Sequence, residues 1–209
     1  MNRFAGLWTK SANPFLLLLV VLTVLPYSLP WLVNRGAGLS FNAYDLAEWA
    51  SLHPVAHTMH PAMLPTLLLR AQLTIITLMI ALCAGRAFSD LRWGFCALLV
   101  VALVLAQMPP FEFFAVARTD TNYGMQFTLT LFSLFVGVVA LSGAFSAWRT
   151  RLMALLALAG IVTSLIALAQ VHGLMRSFDL QVQIGVGGFG LSMVYAALMG
   201  WLWIKKGAS

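Results

Sequence analysis

Six apolar stretches, at about 14–33, 63–84, 93–108, 124–147, 152–172 and 184–204, fill most of the 209 residues. The hydrocarbon core of a bilayer is about 30 Å thick, and a helix rising 1.5 Å per residue crosses it in about 20 residues. Lipid offers backbone N–H and C=O groups no partners, so each stretch must close its hydrogen bonds within itself as a helix. The pattern predicts an all-α, polytopic membrane protein, one domain over 1–209, with six transmembrane helices. Composition agrees, with 61% hydrophobic and 9% charged residues against about 25% charged in a soluble domain.

Charge placement sets the expected threading. Arg3, Lys10, Arg86, Arg92, Arg149, Arg151, Lys205 and Lys206 fall on one side of the six stretches, with Asp90 as their only acid. The opposite side carries Arg35, Arg118 and Arg176 with Asp45, Glu48, Glu112, Asp120 and Asp179. Basic residues collect on the cytoplasmic side of short loops, so both termini are predicted to be cytoplasmic, as in a multi-pass protein of a bacterial inner membrane. The net charge of +6 then reflects helix orientation and contact with anionic lipid rather than nucleic-acid binding.

The first stretch follows Arg3 and Lys10 like a signal peptide. It runs on to Val33 without a small-residue cleavage pattern, so it reads as a retained helix. Pro26 and Pro30 are expected to kink its end. The loop 34–62 is the longest, and Asn42 to Leu52 within it reads as a short amphipathic helix. Asn42 is its cap, Asp45 stands in its first turn, and Leu46, Trp49 and Leu52 share one face. Such a helix is expected to lie on the outer membrane surface with Trp49 at headgroup depth.

Arg70 is the most pointed residue, a guanidinium about 10 Å into the second stretch at 1.5 Å per residue. At that depth it needs a polar partner or a route for its stem to the headgroups. With neighbouring Gln72 it forms a candidate site for lipid or another ligand. Gly185, Gly187 and Gly188 open the last stretch. Their spacing mimics a dinucleotide fingerprint but lacks the preceding strand and α/β unit. They are read instead as a place of close helix or ligand approach, with a broken helix lining a site as the rival reading.

His53, His57 and His60, with Met59 and Met63 nearby, would share a face on a continuous helix and suit copper. Pro54 and Pro61 interrupt that helix and oppose the reading. His60 and His172 are matched in depth, the minimum for haem or a chlorophyll-type pigment, but both are interfacial. Cys83 and Cys96 read as packing residues. No nucleotide-binding loop, nucleophile elbow or zinc-protease motif is present.

The sequence therefore predicts no enzyme, no metal and no nucleotide. The leading expectation is a non-catalytic integral subunit of a larger membrane complex, docking partner subunits and lipid. The rivals are a membrane component of a small-molecule or lipid transporter, and a haem, pigment or copper redox protein. The sequence resembles no particular family at the level of motifs.

Overall fold

The structure is a computed structural model describing residues 14–84, 90–177 and 179–207. The expected cytoplasmic cations Arg3, Lys10 and Arg86 lie outside the described residues. Helices α1 (Pro14–Val21) and α2 (Val24–Ser28) lead into strands β1 (Leu32–Asn34) and β2 (Leu39–Phe41). Helices α3 (Ala43–Ser51), α4 (Pro54–Thr58), α5 (Leu64–Cys83), α6 (Leu91–Ala106), α7 (Phe111–Ala115), α8 (Thr121–Leu141) and α9 (Arg149–Ser177) follow. Strand β3 (Gln183–Ile184) then leads into α10 (Gly187–Gly207). Helices α5, α8, α9 and α10 are each long and apolar enough to cross a membrane, while residues 14–28 and α6 form shorter apolar helices. The protein is a mostly helical, multi-pass membrane protein.

The elements differ from the sequence expectation in several places. The first stretch is helical only to Ser28. Thr23 Oγ1 bonds the Val20 carbonyl at 2.5 Å near the break between α1 and α2, and Pro26 and Pro30 cannot donate to a helical ladder. Its tail becomes β1 at the centre of a three-stranded antiparallel sheet, ordered β2-β1-β3, which the helical pattern does not foretell. Leu32 faces Phe41 on one side and Ile184 on the other. Finally, α9 exceeds its expected span at both ends, and its 29 residues make it about 44 Å long at 1.5 Å per residue.

Helix α5 is the axle of the bundle. Of its most apolar window 83% is buried, against 33% for α8, α9 and α10. The sorting of side chains follows lipid rather than water as solvent. On α8 the buried residues are Asn122, Gln126, Thr130, Ser133, Gly137 and Ala140, a polar and small stripe at helical spacing. Leu131, Phe132, Phe135 and Val138 of the same helix are exposed. On α9 the inward stripe includes Ala157, Gly160, Ser164 and Ala167. A Cβ on Gly160 would overlap the ring of Tyr195 from α10, so the glycine sets how closely these helices approach.

Side chains from neighbouring helices close the helix ends. Arg149 donates through Nε to the Leu82 carbonyl and through Nη2 to the Ala84 carbonyl at 2.5 Å, placing a cation at the C-terminus of α5. Trp93 Nε1 donates to the Leu141 carbonyl at 3.0 Å at the end of α8. The start of α9 therefore lies beside the end of α5, and the start of α6 beside the end of α8.

The opposite end of the bundle is closed by a cap made of the sheet, α3 and α4. Asn42 caps α3 as expected, its side chain accepting from Tyr44 N at 2.8 Å and Asp45 N at 3.0 Å. Helix α3 turns its small residues towards α5. Its buried face is Ala43, Leu46, Ala47 and Ala50, packed with α5. Trp49 instead stacks edge-on against Phe41, and Leu52 is 72% exposed. Three alanines on this face let α3 sit close enough for Thr66 of α5 to bond the Ala47 carbonyl at 3.2 Å.

Candidate functional site

Arg70 lies one turn and a half into α5 and is only 4% exposed. Its Nη1 donates to Asn122 Oδ1 at 2.7 Å and to the Asn122 carbonyl at 3.1 Å. Its Nη2 donates to Glu48 Oε1 at 2.5 Å. Three elements converge here, and capping residues legible in the sequence start two of them. The Asn42 cap fixes the register of α3 that turns Glu48 towards α5. Asp120 caps α8 by accepting from Tyr123 N at 3.0 Å, which places Asn122 in the first turn. Both partners lie far from Arg70 in sequence and belong to the same chain, where the sequence points to lipid or another ligand. Arg70 Nε has no hydrogen-bond partner among the described residues, nor does Gln126 Oε1. A cavity of about 10 Å³ lies between them, lined by Tyr44, Arg70, Leu73, Gln107, Gln126 and Leu129.

Beyond Arg70 the polar interior continues as a second cluster. Gln107 Oε1 accepts from Thr74 Oγ1 and Ser133 Oγ, both at 3.0 Å, and its Nε2 donates to the Leu103 carbonyl at 3.1 Å. Thr130 Oγ1 donates to the Gln107 carbonyl at 2.7 Å. This arrangement ties α5, α6 and α8 together, and buried amides of this kind are stable only when satisfied.

Gln72 does not join Arg70. Two positions along a helix point to opposite sides, and Gln72 donates to Thr163 Oγ1 at 2.7 Å while accepting from Tyr195 OH at 3.2 Å. The glycines form a third, separate place. Gly185 N donates to the Trp31 carbonyl and Gly187 N to the Pro30 carbonyl, each at 2.8 Å. A Cβ at Gly185 would strike the Pro30 carbonyl, and one at Gly187 the Trp31 indole. Gly188 also packs on Trp31. These glycines let two backbone segments touch and are not joined to Arg70.

The histidines do not share a helical face. His53 precedes α4 as its cap, and α4 ends at Thr58 before His60 is reached. His57 Nε2 bonds the Ser51 carbonyl at 2.9 Å. Among the described residues, no group of three or more His, Cys, Asp or Glu side chains is placed to hold a metal ion. His53 Nε2 meets Ser177 Oγ at 2.6 Å, a pairing that could be mistaken for a nucleophile and its base. His53 Nδ1 accepts from Val55 N at 3.1 Å, so in the neutral ring the proton sits on Nε2. Nε2 then donates to the serine and cannot take its proton, the opposite of what an activated serine needs.

His172 lines a different feature, an open cleft of about 710 Å³ at the cap end. Its walls come from the β1–β2 turn, the last turns of α9 and the segment leading into β3, and they carry Arg35, Arg176 and Asp179. The sequence names these residues only as loop charges. The signal for the buried cluster was stronger: polar residues at 122, 126, 130 and 133 of an apolar stretch mark an inward face. No family model, curated protein or solved structure matches the chain.

Proposed function

We propose that the protein is a non-catalytic integral subunit of a larger membrane assembly, spanning a bacterial inner membrane six times with the cap outside. One observation carries this reading. The polar groups of the interior are largely bonded to one another, through Arg70 with Glu48 and Asn122, through Gln107 with Thr74 and Ser133, and through Gln72 with Thr163 and Tyr195. The cavity beside Arg70 has room for about one water molecule, too little for a transported solute. Bulky residues such as Leu98 and Leu105 of α6 and Phe132 and Phe135 of α8 face outward, where lipid and partner helices would cover them. At the end opposite the cap, Arg151 lies over Trp148 and Lys205 over Trp201, the aromatic and basic belt expected of a cytoplasmic interface.

The test is purification of the tagged chain from its native membrane in mild detergent, followed by mass spectrometry. A stoichiometric partner is expected. A chain that migrates alone, or a solute uptake that is lost in Arg70→Leu while the protein remains in the membrane, would overturn the reading. Reporter fusions at the C-terminus and within 34–62 are expected to report cytoplasm and exterior, respectively.

A further inference from the structure

We propose that the cleft between the β1–β2 turn and the end of α9 binds a phosphate group, from either a phospholipid headgroup or a soluble phosphate. The cleft brings Arg35 and Arg176 to one concavity with His172. His172 and Arg176 are four residues apart on α9 and so share one face. Guanidinium groups stay charged at any working pH and present planar arrays of donors suited to phosphate oxygens. Among the described residues, the only salt bridge is that of Arg70 with Glu48, so neither Arg35 nor Arg176 is ion-paired. Asp179 is the sole acid in the lining, and its carboxylate is bridged to neither arginine.

Other groups complete the lining. Gln181 and Gln183 contribute amides, and Asn34, whose Oδ1 is already taken by Ala37 N at 3.1 Å, borders the floor. About 710 Å³ falls in the range of small-molecule sites, which run from about 300 to 1,000 Å³. It exceeds what a bare inorganic ion needs and leaves room for the group esterified to it. The position also fits. Strand β3 leads within three residues into α10, and β1 follows the first apolar helices, so the cleft sits where chain leaves the apolar bundle and where headgroup phosphates would lie.

The test uses the full chain in nanodiscs and the double variant Arg35→Gln/Arg176→Gln, whose two positions are exposed and outside the buried networks. In phosphatidylcholine discs, glycerol 3-phosphate is titrated by calorimetry. In discs that also contain phosphatidylglycerol, native mass spectrometry counts anionic lipids retained after release from the disc. Saturable binding of glycerol 3-phosphate supports a soluble source, and retention of phosphatidylglycerol supports a lipid source. In either case the double variant should lose about tenfold or more in affinity or occupancy. Arg118→Gln, an exposed cation of another loop, should lose nothing. The proposal is overturned if neither probe binds, if the double variant binds like the parent while melting at the same temperature, or if Arg118→Gln loses as much.

Discussion

Arg70 of α5 and Glu48 of α3 meet at 2.5 Å, a nearly buried guanidinium against a carboxylate whose side chain is 36% exposed. The asymmetry decides which partner is harder to lose. Glu48 released from Arg70 can return to water, whereas Arg70 released from Glu48 stays buried with Asn122 alone. Glu48→Ala should therefore lower stability by about 1–3 kcal/mol, below the range for fully buried pairs because one partner is wet. Adding Arg70→Met to Glu48→Ala should restore most of that loss by removing the orphaned charge. Thermal unfolding in detergent reads both effects, and a double variant no more stable than Glu48→Ala would refute the account.

Two glycines of α9 give a matched comparison. A methyl at Gly160 would overlap the Tyr195 ring, while one at Gly173 meets nothing within 4 Å. Gly160→Ala should destabilise by about 1–3 kcal/mol through overpacking. Gly173→Ala should be neutral or stabilising, by up to about 1 kcal/mol from helix propensity. Equal melting temperatures for the two variants would show that the close approach of α9 to α10 is not held as described.

Arg149 closes the end of α5 by bonding two carbonyls. Arg149→Met keeps the stem and removes the donors, and should cost about 1–2 kcal/mol. Hydrogen exchange should rise in the last turn of α5, at Ala81 to Cys83, and not in its first. Uniform change along the helix would argue against a local cap.

Cys83 and Cys96 are both fully buried. Neither should react with a maleimide in the folded protein, and both should react after denaturation in dodecyl sulfate. Mass spectrometry of the labelled chain counts the adducts directly.

Much of the bundle is legible in sequence because bilayer crossing imposes length and apolarity that no soluble fold requires. The Asn42 cap was equally legible, since capping depends on neighbours three residues away. The sheet was not. Leu32 to Asn34 continues an apolar run, and Gln183-Ile184 is too short to show alternation, so their pairing depends on contacts that local pattern does not carry. The side of α3 that packs on α5 is not legible for a related reason. Trp49 and Leu52 look like the anchoring side chains, but the packed surface is the small one, Ala43, Ala47 and Ala50, because close approach brings Glu48 to Arg70. Arg70 itself was conspicuous by depth alone. Its partners could not be named, because loop carboxylates and the Asn122 amide look like ordinary solvent-facing groups until the helices are assembled.

The sheet has a bearing on biogenesis. Strand β1 is made early, between the first apolar helices and the cap, yet its second neighbour β3 is translated only just before the last helix. The edge of Leu32 and Val33 that pairs with Ile184 and Gln183 must wait, unmatched, through insertion of everything between. A chain stopped before residue 184 would keep that strand edge open, a template for pairing with another chain.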